Sequence, residues 1–118
     1  MLALLQEEPG ADVVEAALDL AEMSCVNVSE VLQKAEQHGI DTDGLEIDLE
    51  ALGVRLHAFD IGDARVAADL WHATRSAGLS LGDRACLALA RKLGGVVVTA
   101  DTRWAELEGI DIPVEIVR

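Results

Sequence analysis

Apolar positions along this chain switch between a helical period and short unbroken runs, and the switches mark out its elements. Across residues 11–22, Val14, Ala17, Leu18 and Ala21 recur at helical spacing behind the break of Pro9-Gly10, which predicts a helix. Residues 24–28 are apolar and rich in strand formers, so a strand is expected there. Ser29 opens a second helical pattern through Val31, Leu32 and Ala35 that stops near Gly39. The turn-rich Asp41-Thr42-Asp43-Gly44 leads into a short helix through Leu49 and Leu52, closed by Gly53. Residues 54–59 alternate as a strand should, and residues 62–77 read as one long helix with Val66, Leu70 and Ala73 on one side, ending at Gly78.

Ser80 caps the next predicted helix, on which Leu81, Ala85, Ala88 and Leu89 form the apolar stripe. Residues 96–100 make a continuous apolar strand after Gly94-Gly95, and 102–107 a short helix. Residues 112–117 make a last strand that tolerates Pro113 only near its start or at an edge. Strands alternating with helices predict an α/β domain with a mainly parallel sheet and helices on both faces. The length of 118 residues and the 51% hydrophobic composition suit a single domain over residues 1–118. Its apolar runs fall short of the roughly 20 residues that a membrane span needs, and no signal peptide is expected ahead of the fold. A soluble, cytoplasmic protein with no membrane partner is expected.

Charge narrows the function classes. A formal charge of −13, from 22 acidic and nine basic residues, argues against a strong non-specific nucleic-acid binder, which carries a basic face to displace counterions. Any RNA contact must be local. The acidic excess favours a basic partner or divalent cations. Arg84 and Arg103 follow Asp83 and Asp101 closely and are candidate phosphate contacts, although each alone reads as a solvated surface charge. Cys25 and Cys86 lack metal spacing and lie in apolar surroundings, which predicts buried free thiols and no zinc site. The 41–44 turn lacks the later ligands of a calcium loop. His38, His57 and His72 show no ligand or triad spacing, and there is no Gly-x-Ser-x-Gly or Walker-type loop. Trp71 and Trp104 lie on helical patterns and read as packing residues, Trp104 being the better base-stacking candidate because it is close to Asp101.

Three acids remain. Glu30 fits the third helical position after Asn27, Asp83 the third after Ser80, and Asp101 an N-cap, so capping explains each one alone. Their joint placement points further. Glu30 and Asp101 follow predicted strand ends, where open α/β sheets bind ligands. The helix that starts near Asp83 returns through Gly94-Gly95 to the strand ending near Asp101. About 14 helical residues cover roughly 21 Å and about six strand residues roughly 20 Å, so Asp83 is expected near Asp101. Three converging carboxylates need neutralising, and Mg²⁺ or Mn²⁺ suits an all-oxygen site. Such an ion positions a phosphate and activates a water. Ser29 and Thr99 offer hydroxyls and Asn27 a group to orient a carboxylate, with backbone capping the alternative for each.

These motifs resemble the PIN domain family, and within it the small VapC-type ribonuclease toxins of toxin-antitoxin pairs. Leu79-Ser80-Leu81-Gly82-Asp83-Arg84-Ala85-Cys86-Leu87-Ala88 is close to that subgroup's wording. Asn27-Val28-Ser29-Glu30-Val31 resembles its glutamate motif, Thr99-Ala100-Asp101 its later aspartate motif, and Leu4-Leu5-Gln6-Glu7-Glu8-Pro9-Gly10 its usual first-helix ending. The resemblance implies a PIN-like three-layer sandwich with strand order 3-2-1-4-5. It also implies Mg²⁺- or Mn²⁺-dependent cleavage of RNA, restraint by a cognate antitoxin, and a homodimer. Glu30, Asp83 and Asp101 match the family's catalytic and metal-binding acids.

The resemblance further implies a central first strand ending in a catalytic aspartate, a few residues ahead of the Leu2-Ala3-Leu4-Leu5 segment. Met1 stands just inside the helix that follows it, so that strand is expected to be missing from this chain. Two expectations follow. In one the native start lies about ten residues upstream, enough for one strand. In the other, pairing with a second chain or an extended form of residues 1–5 fills the gap. The alternative function is a catalytically defective PIN domain that serves as an antitoxin-binding or dimerisation module. A receiver-like or phosphatase domain is disfavoured, because no nucleophilic aspartate ends a recognisable first strand.

Overall fold

The computed structural model describes the backbone of Leu4–Gln6 and residues 21–117. Its elements in chain order are β1 (Leu4–Gln6), β2 (Ala21–Ser24), α1 (Cys25–Gln37), α2 (Leu45–Ala51), β3 (Arg55–His57), α3 (Ile61–Asp69) and α4 (Trp71–Thr74). A 3₁₀ turn over Arg75–Ala77 leads to α5 (Leu81–Leu93), β4 (Val96–Thr99), a second 3₁₀ turn over Thr102–Glu106, and β5 (Val114–Ile116).

The five strands form one sheet in the order β3-β2-β1-β4-β5. β2 pairs parallel with β3, and β4 parallel with β5, whereas β1 is antiparallel to both its neighbours. Leu5 sits opposite Glu22 on one side and Val97 on the other. The expectation of a sheet lacking its central strand is therefore corrected. Leu4–Gln6, expected as part of a helix ending, is extended instead; of the extended form expected for residues 1–5, residues 1–3 lie outside the described residues. The reason is the backbone: without a strand between them, β2 and β4 would bury unpaired N–H and C=O groups, at about 1–3 kcal/mol each.

Several boundaries move for similar reasons. Of the helix predicted over 11–22, residues 11–20 lie outside the described residues, and Ala21 and Glu22 belong to β2. The strand expected over 24–28 ends at Ser24, whose side chain accepts from the Val26 N–H at 3.2 Å and caps α1. The pairing of Ala21 and Glu22 with β1 and of Ser24 with His57 outweighs the helical spacing at Ala21. The predicted 62–77 helix divides into α3, α4 and a 3₁₀ turn, and β3 and β5 are shorter than predicted, with Pro113 outside β5.

Two apolar clusters hold the layers together. Ala21, Met23, Val28 and Val54 pack with Leu32, Leu49 and Leu56, joining α1 and α2 to β2 and β3. Cys86, Leu87, Leu89 and Ala90 of α5 pack with Val97, Leu70, Leu79, Trp104 and Ile112. Cys86 is buried as expected, but Cys25 at the start of α1 is exposed. Within the sheet Glu22 is buried, with His57 Nε2 at 2.9 Å and Arg55 Nε at 3.3 Å. Among the described residues no helix is long and apolar enough to cross a membrane.

Candidate functional site

The first turn of α5 carries the site's scaffold. Ser80 Oγ accepts from the Asp83 N–H at 3.2 Å, and Asp83 Oδ2 accepts from the Ser80 N–H at 2.8 Å, a reciprocal capping box. Asp83 thus caps the helix, and its carboxylate also lines a cleft of about 310 Å³ with Glu30, Lys34, Ser80 and Arg103.

Glu30 reaches this cleft from the second turn of α1. It is not a capping-box residue, because the helix begins at Cys25 rather than near Ser29, which corrects the Asn27-to-Glu30 capping reading. The Asn27 amide links the two helices: its Nδ2 donates to Gly82 O at 2.9 Å and to Glu30 Oε1 at 3.1 Å. Glu30's carboxylate lies so close to Gly82 that a Cβ there would fall within it. Only glycine at 82 leaves Glu30 in this seat. Both acids bear on Cys86, whose thiol is pushed up to about 12, first by burial and then by the charges of Asp83 and Glu30.

Asp101 is arranged differently. Its Oδ1 accepts from the Arg103 N–H at 3.0 Å, and its carboxylate takes Arg103 Nε at 3.0 Å to both oxygens and Nη2 at 2.5 Å. Hydrogen bonding to Arg103 is the largest cause that holds the Asp101 carboxyl down at about 2. Arg103 also donates to Ala77 O at 3.2 Å. The structure therefore brings Glu30 and Asp83 into one cleft and places Asp101 behind Arg103, which lines it.

The supporting residues separate too. Thr99 is buried, and its hydroxyl accepts from the Asp101 N–H at 3.1 Å. Ser29 lines an adjoining, more apolar groove with Glu30, Phe59 and Leu81. Arg84 donates from Nη1 to Ala67 O at 2.9 Å, tying α5 to α3, and is not among the cleft-lining residues. Trp104 is 2% exposed and belongs to the core. Sequence reasoning passed over Gly82, although it stands inside the quoted motif, and Lys34, although an i,i+4 spacing from Glu30 puts both on one face of α1.

Among the described residues no group of three or more His, Cys, Asp or Glu side chains is placed to hold a metal. Mg²⁺, however, is ordinarily held by one or two carboxylates with waters and substrate phosphates, not by an all-protein cage. The donor set of Glu30 and Asp83, hard oxygens facing an open cleft, fits such an ion.

Fold and cleft together define an α/β protein with an acid-lined cleft between two helices. The chain belongs to the PIN domain family, which matches residues 1–110. PIN domains are generally nucleases that bind RNA and typically use divalent metals, so membership suggests a nuclease-like function. No curated protein matches the chain, and no solved structure does.

Proposed function

We propose that this protein is a Mg²⁺- or Mn²⁺-dependent endoribonuclease, the toxin of a VapBC-type toxin-antitoxin pair, built as one PIN-like three-layer domain over residues 1–118. The observation that carries the reading is the shared cleft of Glu30 and Asp83, with Lys34 and Arg103 on the same walls. Bound there, the metal would supply charge neutralisation and an acidified water for attack on phosphorus. Glu30 and Asp83 would hold it. Asn27 aims the Glu30 carboxylate, and the Ser80 cap aims that of Asp83. Arg103 and Lys34 offer cationic contacts to a phosphate entering the cleft. In this reading Asp101 joins the acids once Arg103 turns to the substrate. Restraint by an antitoxin and homodimerisation are supported by the resemblance of the Leu79–Ala88 motif to VapC-type toxins.

Labelled RNA incubated with the protein in Mg²⁺ or Mn²⁺, with and without EDTA, tests the reading. Internal cleavage products that require the ion are expected, and products indifferent to EDTA reject it. A second reading, a defective PIN domain acting as an antitoxin-binding or dimerisation module, is favoured by one observation: the Asp101 carboxylate is already neutralised by Arg103. Absence of cleavage under all ions, together with stoichiometric antitoxin binding, is its expected signature.

A further inference from the structure

We propose that Trp71 and Arg75 form a base-stacking platform for single-stranded RNA on the segment that leads to the acid cleft. The inference takes the RNA reading of the cleft as its basis and adds the route by which the strand reaches it.

Trp71 is 45% exposed at the start of α4, whereas the chain's other tryptophan, Trp104, is 2% exposed. The guanidinium carbon of Arg75 lies 5.1 Å from the Trp71 ring centroid, and the His72 ring meets the indole edge-on at 5.2 Å and 75°. Two flat rings and a cation are thus grouped on one short segment. Bases of unpaired RNA stack on aromatic rings and on arginine planes, which tolerate any sequence because every base has a π-face.

Charge supports this occupant over a protein of like composition. From Leu70 to Gly82 the chain has no Asp or Glu, although it carries 22 acids in all. An anionic strand therefore meets no carboxylate belonging to this segment, and Arg75 stands inside it. The nearest acid before the segment, Asp69, is paired with Arg65 at 3.6 Å.

The segment also leads into the cleft. Ala77 O accepts from Arg103, and Gly78 lines the cleft beside Asp83. From Trp71 to Gly78 the backbone advances roughly 12 Å at ordinary helical rise. That distance spans about three or four stacked nucleotides at roughly 3.4 Å each. A base on Trp71 would thus place a phosphate a few nucleotides away at Glu30 and Asp83.

The test is binding of a fluorescently labelled single-stranded oligonucleotide to the full chain in EDTA, so that cleavage plays no part. Trp71→Ala is expected to weaken binding by roughly tenfold or more, Trp71→Phe to retain most of the affinity, and Arg75→Ala to weaken it. With the unaltered protein, an oligonucleotide of abasic sites should bind as weakly as the intact strand binds Trp71→Ala, a comparison that needs no variant to fold. Equal affinity of the unaltered protein for intact and abasic strands, or of Trp71→Ala and the unaltered protein for the intact strand, overturns the proposal and leaves Trp71 to a protein contact. Trp71-dependent binding by a protein that cuts no RNA in Mn²⁺ upholds the platform and removes the nuclease reading instead.

Discussion

Gly82 shows how one missing methyl organises the cleft. The Glu30 carboxylate occupies the space that a Cβ at 82 would take, and Asn27 bonds both the Gly82 carbonyl and that carboxylate. Because the obstructing atoms are the far end of a flexible side chain, Gly82→Ala should leave the unfolding free energy within about 1 kcal/mol of the parent in urea titration. The same substitution expels Glu30 from its seat, and under the proposed reading a misplaced catalytic group costs on the order of a hundredfold. A Gly82→Ala protein that is stable and cuts RNA at the parent rate would refute this role. Asp101 behaves in the opposite manner, tied to its neighbour rather than open. Its folded pKa is depressed to about 2, so its pairing stabilises the protein above the ordinary 3.8 and loses that contribution as pH falls towards 2. Carboxyl carbon NMR should find Asp101 titrating near 2, and Arg103→Gln should return it towards its ordinary value. Titration at the ordinary value in the parent would contradict the pair.

At the scale of elements, the central strand has the largest consequence. The Leu5 backbone pairs with β2 and β4 at once, so Leu5→Pro removes an N–H from the middle of the sheet. Loss of about 1–3 kcal/mol or more in denaturant unfolding is expected, and an unchanged midpoint would exclude β1 from the sheet. The same strand shows where sequence reading runs out. α5 was legible because Leu81, Ala85, Ala88 and Leu89 keep a helical stripe between the Ser80 cap and Gly94, which adopts φ 67°. β1 was not, since Leu4 and Leu5 suit helix or strand equally and only the needs of distant β2 and β4 decide. Ala21 fitted a helical stripe by spacing, yet its partner is Gln6. The break after Asp69 carries no glycine or proline signal, so α3 and α4 read as one helix. The site divides likewise. Spacing along helix and strand could bring Glu30 and Asp83 to one edge, but which carboxylate Arg103 would hold is a matter of rotamer, invisible in the order of residues.

For the molecule as a whole, a charge of −13 and an RNA-cutting cleft are compatible only if cations are concentrated where the strand lies. Lys34 and Arg103 line the cleft beside Glu30 and Asp83, and the proposed platform adds Arg75 on the strand's route to it. PIN membership over residues 1–110 makes nuclease-like function the coarse expectation, and the proposed reading assigns it to the cleft that Glu30 and Asp83 line. The most direct measurement is the initial rate of cleavage of one labelled RNA in Mn²⁺ by the parent, Glu30→Gln and Asp83→Asn proteins, each checked for an unchanged melt. Metal-dependent cleavage by the parent that falls by roughly a hundredfold or more in both variants, at least about 2.7 kcal/mol of barrier, is the predicted result. Cleavage that persists undiminished in both variants would contradict the assignment of this cleft as the catalytic site.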